Sequence, residues 1–472
     1  MNVKKHLSVV ATLLVVMGVL LSACTPAAAP TTAPVAAKPT SAPVAAQPTT
    51  APAQPSAEAV TIRYGLWDSA QQPAYESCAK AFTAKNPNIN VKIEQSGWDD
   101  YWTSIQTGFV SGNAPDVFTD HLAKYPEFAN KGQLVDIQPL IDQDKVDTSI
   151  YLKGLADLWV KDGKRYGLPK DWDTIAVFYN ADMFKKAGVD PAVMKDWTWN
   201  PKDGGTFEQT IAKLTLDKNG KNGLDPAFDK NNVVQYGFLH EGGGSGVGQT
   251  QWSSYAVSNG WKVNDGPWAT KYYYDNPKLA ETMDWYAGLI KKGYAEKQED
   301  QSSLGAATLF QSGKGAMVTE GSWNINNFVQ NSKFPVGFGL LPVGPAGRKS
   351  MFNGLADSIW VGTQHPKEAW EWMKFAASAE CENIVGDTGV VFPAIQSGVD
   401  KSLANHKAAG LDVTAFTQEA TDPNGTFLFP IADHASEVDN IMKPTMDSIM
   451  LGKSDAATAL KAANDQVNAL FK

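Results

Sequence analysis

The sequence predicts an α/β protein of two lobes, each a mainly parallel sheet flanked by helices. Three observations lead there. With 472 residues, 43% of them hydrophobic, the chain is long enough for two or more domains with substantial cores. Residues 60–93 read as strand, helix, strand, and a parallel pair so formed requires a right-handed crossover. The stretch 167–184, GLPKDWDTIAVFYNADMF, joins two blocks that each read as an α/β unit and carries acids and an aromatic at the join. Ligand clefts of α/β proteins form where strand ends and loops converge in this way.

The chain opens on Lys4, Lys5 and His6, followed by an apolar run over 7–21 that ends in Leu21-Ser22-Ala23-Cys24. A basic start, a short apolar core and small residues at its exit read as a signal peptide, 1–23, rather than a membrane span. The LSAC tetrapeptide resembles a bacterial lipobox, which implies cleavage before Cys24 and lipid on its thiol. Residues 24–57 form a tether: the unit PTTAPVAAK at Pro30 recurs as PTSAPVAAQ at Pro39 and, truncated, at Pro48. Such a composition cannot bury a core and samples extended states. An extracytoplasmic setting permits a disulfide between Cys78 and Cys381, yet two buried free thiols are the favoured reading. The net charge of −9 argues against nucleic acid as a partner.

In the first lobe, Val60, Ile62, Tyr64 and Leu66 alternate with polar or small residues as a strand. Trp67 and Asp68 follow at the end where ligands gather. Residues 71–85 read as a helix with Tyr75, Cys78, Ala79 and Phe82 on one face, and Ile89, Val91 and Ile93 as the next strand. Asp99 reads as the cap of a helix to about residue 109, with Trp98 before it as packing or as a ligand platform. A short strand over 116–119 exits at Asp120 and His121, where Asp120 is either a ligand contact or a loop cap. The apolar run 174–179 reads as a buried strand with Asp171, Trp172 and Asp173 at its mouth.

The runs APDVFTDH, PEFANKGQLVDIQPLI and GKRYGLPKDWDTIAVFYNADMFKKAG, followed by FQSGKGAMVTEGSWNI and FNGLADSIWVGTQHPKEAWEWMKFAAS, resemble in order and spacing the family 1 extracellular solute-binding proteins of ABC importers. These are the maltose-binding-protein-like sugar receptors. The resemblance runs from about residue 59 onward, and no single motif within it is diagnostic. It implies a type II periplasmic-binding-protein-like fold with a hinge of several strands, and lobes 58–173 plus 354–378 and 174–353 plus 379–472. It further implies a ligand-contacting carboxylate at Asp173, sugar stacking at Trp323, and a place near the cleft for His434.

In the second lobe, 206–216 and 277–293 read as amphipathic helices, the latter with Leu279, Met283, Tyr286 and Ile290 inward. LDKNGKNGLD at Asp217 departs from a calcium loop at Lys221 and Asn222 and reads as a turn. The Gly-rich EGGGSGVGQ lacks the Lys-Ser/Thr of a phosphate loop and reads as a mobile loop at the cleft rim. Trp252 follows it. Residues 315–318 read as a strand whose exit carries Glu320 and Trp323.

Binding a sugar needs planar side chains for the C–H faces and acids or amides for the hydroxyls. The expected ligand set is Trp67, Asp68, Trp98, Asp120, Asp171, Trp172, Asp173, Trp252, Glu320, Trp323, Asp357 and His434. No catalytic, metal or cofactor site is expected. Asp171 and Asp173 lie two apart on one strand edge, roughly 7 Å by strand rise, and cannot flank a glycosidic bond. The expected protein is a monomeric, lipid-anchored carbohydrate receptor at the cell surface or in the periplasm, serving the permease subunits of an ABC importer; the alternatives are a receptor for a peptide, polyamine or polyol, a glycan-binding adhesin, or a glycan-active enzyme.

Overall fold

In the computed structural model, which describes residues 59–152 and 154–472, the first strand β1 (Val60–Leu66) buries Ile62 and Tyr64 completely. The expectations for the signal segment, Cys24 and the tether lie outside the described residues. Helix α1 (Gln72–Lys85) turns Tyr75, Cys78, Ala79 and Phe82 inward as its spacing predicts, and β2 (Ile89–Gln95) lies parallel to β1 with Val60 opposite Ile89. Helix α2 (Trp98–Ser111) is capped by Gly97, not Asp99. Asp99 and Asp100 occupy its first turn, where carboxylates favour the positive end of the helix dipole, and Gly112 (φ 73°) closes it.

The next strands build a large sheet: β3 (Val117–His121), β4 (Leu168–Asp173) and, far later in the chain, β8 (Ser350–Ile359), β9 (Phe392–Pro393) and β10 (Thr426–Leu428). Its order is β9-β4-β8-β3-β1-β2, with β10 beside β8. A smaller sheet of β5 (Ile175–Asn180), β6 (Met317–Gly321) and β7 (Val336–Gly339) runs in the order β6-β5-β7. The pairs β1–β2, β1–β3 and β8–β10 are parallel, whereas β8 meets β3 and β4 antiparallel and the small sheet is antiparallel throughout. The sheets are therefore less parallel than expected. The reason is the crossing itself: β4 carries the chain out of the large sheet and β8 carries it back, so the two neighbours run in opposite directions.

The outward crossing is a single residue, Thr174, whose hydroxyl donates to the Phe416 carbonyl at 2.7 Å. At the same point the Ser350 hydroxyl accepts from the Ile175 N–H and donates to the Ile175 carbonyl, both at 2.8 Å. Asp171, Trp172 and Asp173 thus lie within a strand of the large sheet rather than before a strand.

Helix α3 (Pro277–Lys292) buries Leu279, Met283 and Tyr286, leaves Ile290 half-buried, and is bounded by the Asn276 cap and Gly293 (φ 76°). Asp217 serves as a turn acceptor, its Oδ1 taking the N–H groups of Asn219 and Lys221 and its Oδ2 that of Asp229.

Helix α4 (Pro366–Ala376) and helix α5 (Ala379–Thr388) follow β8. Cys78 on α1 and Cys381 on α5 form a disulfide, with Cα atoms 5.2 Å apart, and not two free thiols. The chain does not leave for the second lobe after residue 378: α5 packs on α1, and β9 pairs with β4. Helix α6 (Ala435–Met450) returns to the second lobe's side of the cleft. Among the described residues no helix is long and apolar enough to cross a membrane.

Candidate functional site

The crossing strands place a cleft where the two sheets meet. Trp67 and Asp68 extend from the end of β1, Trp98 heads α2, His121 ends β3, and Asp171 to Asp173 come from β4. The opposite wall supplies Gln249 from the Gly-rich loop and Trp323 just after β6, with Asn353 on the returning β8. These residues line a cavity of about 500 Å³. A second compartment of about 770 Å³ adjoins it, sharing Trp98, His121, Gln249 and Trp323. It runs along the Gly-rich loop and past Tyr272 and Tyr274 to Asp439 and Lys443 on α6. The loop hugs this wall through left-handed Gly242, Gly244 and Gly248, a conformation glycine adopts freely.

The aromatic wall is rigid at its base and open at its rim. Trp67 meets Trp98 edge-on at 5.1 Å and Tyr101 at 5.5 Å, and Trp98 meets His121 at 5.4 Å. Trp98 is nonetheless 43% exposed. Trp172 behaves differently. It is buried, stacks on Phe352 at 5.6 Å and on Phe392 at 5.0 Å, and its Nε1 has no partner. Its ring is covered by these two phenylalanines, so it packs the cleft floor and gives the cavity no open stacking face.

Polar groups converge on the floor. Asp173 Oδ1 accepts from Gln249 Nε2 and Oδ2 from Asn353 Nδ2, each at 2.9 Å. The first of these bonds links the two walls. The Asn353 amide also lies 3.1 Å from His121 Nε2. Burial holds the His121 ring neutral, its pKa pushed down to about 3, and the Ala123 N–H donates to its Nδ1 at 3.0 Å. That bond makes Nδ1 an acceptor and leaves the ring proton on Nε2, so Nε2 meets the Asn353 Nδ2 as donor to donor and the two are in contact without a hydrogen bond. Burial raises the Asp173 carboxyl well above the usual carboxylate range, opposed by its bond from Asn353. Asp171 is pushed up to about 7 by burial, with Lys170 opposing, and its Oδ2 has no partner. Asp68 accepts from the Ala70 N–H at 2.9 Å. A ring-bearing polyol would here find stacking surfaces, two amide donors and carboxylate acceptors with spare lone pairs.

Seven of the expected residues meet at this cavity: Trp67, Asp68, Trp98, Asp171, Trp172, Asp173 and Trp323. Five do not. Asp120 is fully buried, accepts from the His121 N–H and Ser358 hydroxyl, and is pushed up to about 8 by burial. The strand continues through it, so alternation turns Asp120 to the sheet face opposite His121, and His121 takes the cleft. Asp357 is fully buried on β8 and accepts from the Tyr64 hydroxyl at 2.8 Å. Trp252 is core, its Nε1 donating to the Gly243 carbonyl at 3.0 Å, and so it props the Gly-rich loop from behind. Glu320 lies inside β6 and accepts from the Gly321 N–H. His434 stands outside the cavity wall, 3.3 Å from Glu437. His121, Gln249 and Asn353 were not expected. His121 was legible from strand phase, whereas nothing in the sequence marks Gln249 or Asn353.

A family model described as bacterial extracellular solute-binding protein matches residues 67–381. The chain is 24% identical over 413 residues to a maltooligosaccharide ABC transporter solute-binding lipoprotein of Streptococcus pneumoniae, covering 85% of this chain and 86% of that protein. Among solved structures, M. tuberculosis UspC is similar with a TM-score of 0.69 at 27% identity, covering 87% of this chain and 99% of that one. An ABC substrate-binding protein from Listeria monocytogenes in complex with cycloalternan gives a TM-score of 0.75 at 23% identity, covering 88% and 99%.

Proposed function

This chain belongs to the bacterial extracellular solute-binding protein family, and from that premise we propose that it is the carbohydrate receptor of an ABC importer. It captures a mono- or oligosaccharide by lobe closure and delivers it to the permease. The observation that carries this reading is the cavity itself: the exposed Trp98 and half-buried Trp67 on one wall and half-buried Trp323 on the other, beside Asp171 and Asp173, with Gln249 reaching across to Asp173. Relatives that bind maltooligosaccharides or cycloalternan support it. In this reading Cys24 carries the lipid that holds a monomeric receptor at the membrane, and the ligand is released intact. The two cleft carboxylates on β4 lie on one strand edge, a placement suited to gripping a ring and not to acid and nucleophile on opposite sides of a bond.

Contacts from both walls are complete only when the cleft is closed, so ligand shifts the open–closed balance by its differential affinity. A thermal-shift series with maltotriose, mannotriose, monosaccharides, polyols, peptides and polyamines tests the reading. Ligand at 100 times its Kd adds about 2.7 kcal/mol of stability. A shift with one sugar class and recovery of that sugar unchanged is the expected result. A response confined to peptides or polyamines overturns the carbohydrate, and recovery of a cleaved sugar overturns the receptor.

Truncating the rim reads the stacking contribution. Trp98→Ala and Trp323→Ala each weaken carbohydrate binding by about 0.5–1.5 kcal/mol beyond lost area. Calorimetry against the same sugar checks this, and because Trp98 sits at the rim, 43% exposed, its variant melts close to the parent.

A further inference from the structure

The tryptophans of the cavity are held in place in different ways. Trp67 and Trp98 brace each other edge-on at 5.1 Å and lean on Tyr101 and His121. Trp172 is covered by Phe352 and Phe392. Trp323, half-buried where the two compartments meet, has no aromatic ring beside it and no hydrogen bond on its indole N–H among the described residues.

What lies against its ring is Gly321, the last residue of β6. A Cβ on Gly321 would overlap the six-membered ring. Its three nearest atoms would be Cζ3, Cη2 and Cε3 of Trp323, all far inside the about 3.5–4.0 Å at which carbon atoms touch. Gly321 has φ −88° and ψ 156°, extended backbone that any residue adopts. Space, not conformation, is therefore what calls for glycine here.

The seat is itself fixed. Gly321 stands opposite Ile175 in the small sheet, its N–H donates to Glu320 Oε1 at 2.8 Å, and the Ser322 N–H donates to the Thr174 carbonyl at 3.0 Å. A single 3-10 turn, Ser322–Asn324, then folds the Trp323 side chain back over the residue two before it. The ring is thus tied to the single-residue crossing at Thr174 and presented by the wall opposite Trp67 and Trp98.

We propose that Gly321 is a positioning residue of the binding site: its bare α-carbon is the seat on which the Trp323 indole lies, and it fixes that ring as the second lobe's stacking platform. The stacking half of this inference rests on the carbohydrate reading; the seat does not. An indole already seated is ordered before the ligand arrives, so its stacking is not offset by rotamer freedom lost on binding. A methyl group on the seat drives the ring into another rotamer, and the platform leaves its place.

The test reads the ring and the ligand separately. The protein has fifteen tryptophans, each giving one indole N–H signal in a ¹H–¹⁵N spectrum, and Trp323→Phe assigns that of Trp323. In ligand-free Gly321→Ala the Trp323 signal moves, while that of core Trp252 stays. Calorimetric affinity for maltotriose falls severalfold, to about the level of Trp323→Ala. Adding Gly321→Ala to Trp323→Ala brings no further loss, the non-additivity expected of two residues that act through one contact. A Trp323 signal unmoved in folded Gly321→Ala overturns the proposal, as does a full further loss on the Trp323→Ala background. Should Gly321→Ala not fold, its combination with Trp323→Ala does, because the ring is what the new methyl meets; a combination that also fails to fold overturns the proposal. The indole spectrum needs no sugar. If maltotriose does not bind the parent, the carbohydrate reading is what suffers, and the Trp323 signal still decides the role of Gly321.

Discussion

Replacing Cys78 and Cys381 together by alanine lowers the unfolding free energy by about 2–5 kcal/mol, the range for removal of a native disulfide. The bridge closes a loop across a sequence separation of 303 residues, and long loops lie toward the upper end of that range in the chain-entropy account. Both sulfurs are fully buried between α1 and α5, so neither the reductant nor solvent reaches them without local opening. Denaturant unfolding of the double variant, beside the parent with and without reductant under unfolding conditions, measures the effect. Equal midpoints for oxidised parent and double variant would remove the bridge from the stability of the fold. Neither cysteine lines the cleft, and ligand affinity well below the melting temperature stays as in the parent. A stabilising disulfide also fits a chain that works in an oxidising compartment.

Asp173→Ala has the largest expected effect on binding, about 1.5–3 kcal/mol, which is roughly 10- to 150-fold in Kd. Two of the carboxylate's four lone-pair positions are taken by Gln249 and Asn353, which leaves two for a ligand in the cavity that Asp173 lines. The variant loses the ligand contact and also frees the one amide that reaches Asp173 from the opposite wall. Asp173→Asn separates the two effects, since it keeps the volume but puts an amide donor against the Asn353 and Gln249 donors. Calorimetry with the sugar identified by thermal shift reads both. An affinity unchanged in Asp173→Ala would take Asp173 out of the site.

What was legible in the sequence follows the range of the interaction concerned. The β1–α1–β2 unit is set by local alternation and an apolar helix stripe, and its register and buried face emerged as expected. The cluster Trp67, Asp68 and Trp98 was readable because strand ends and helix starts sit at α/β clefts. Asp120 failed for want of strand phase: β3 runs to His121, two residues beyond the expected 116–119, and β8 covers it. Asp357 and Trp252 are chemically plausible ligands that the core claimed first, one for a tyrosine hydroxyl and one for a loop carbonyl. The cysteine pair was beyond reach because it depends on where α5 packs after three hundred residues of intervening chain. Gln249 and Asn353 likewise owe their place to a loop and a returning strand that only the assembled fold brings to Asp173.

The Ser350 hydroxyl, bonded twice to Ile175, has a further meaning for motion. It staples the outgoing and returning strands to each other at the single-residue step between sheets, so the two crossings cannot slide lengthwise without breaking both bonds. Sliding of packed elements is the shear route to domain closure, and this staple opposes it; rotation about a fixed pivot remains open. The lobe closure proposed above then works like a book with a stitched spine, its φ and ψ changes expected on the few residues around Thr174 rather than along the strands.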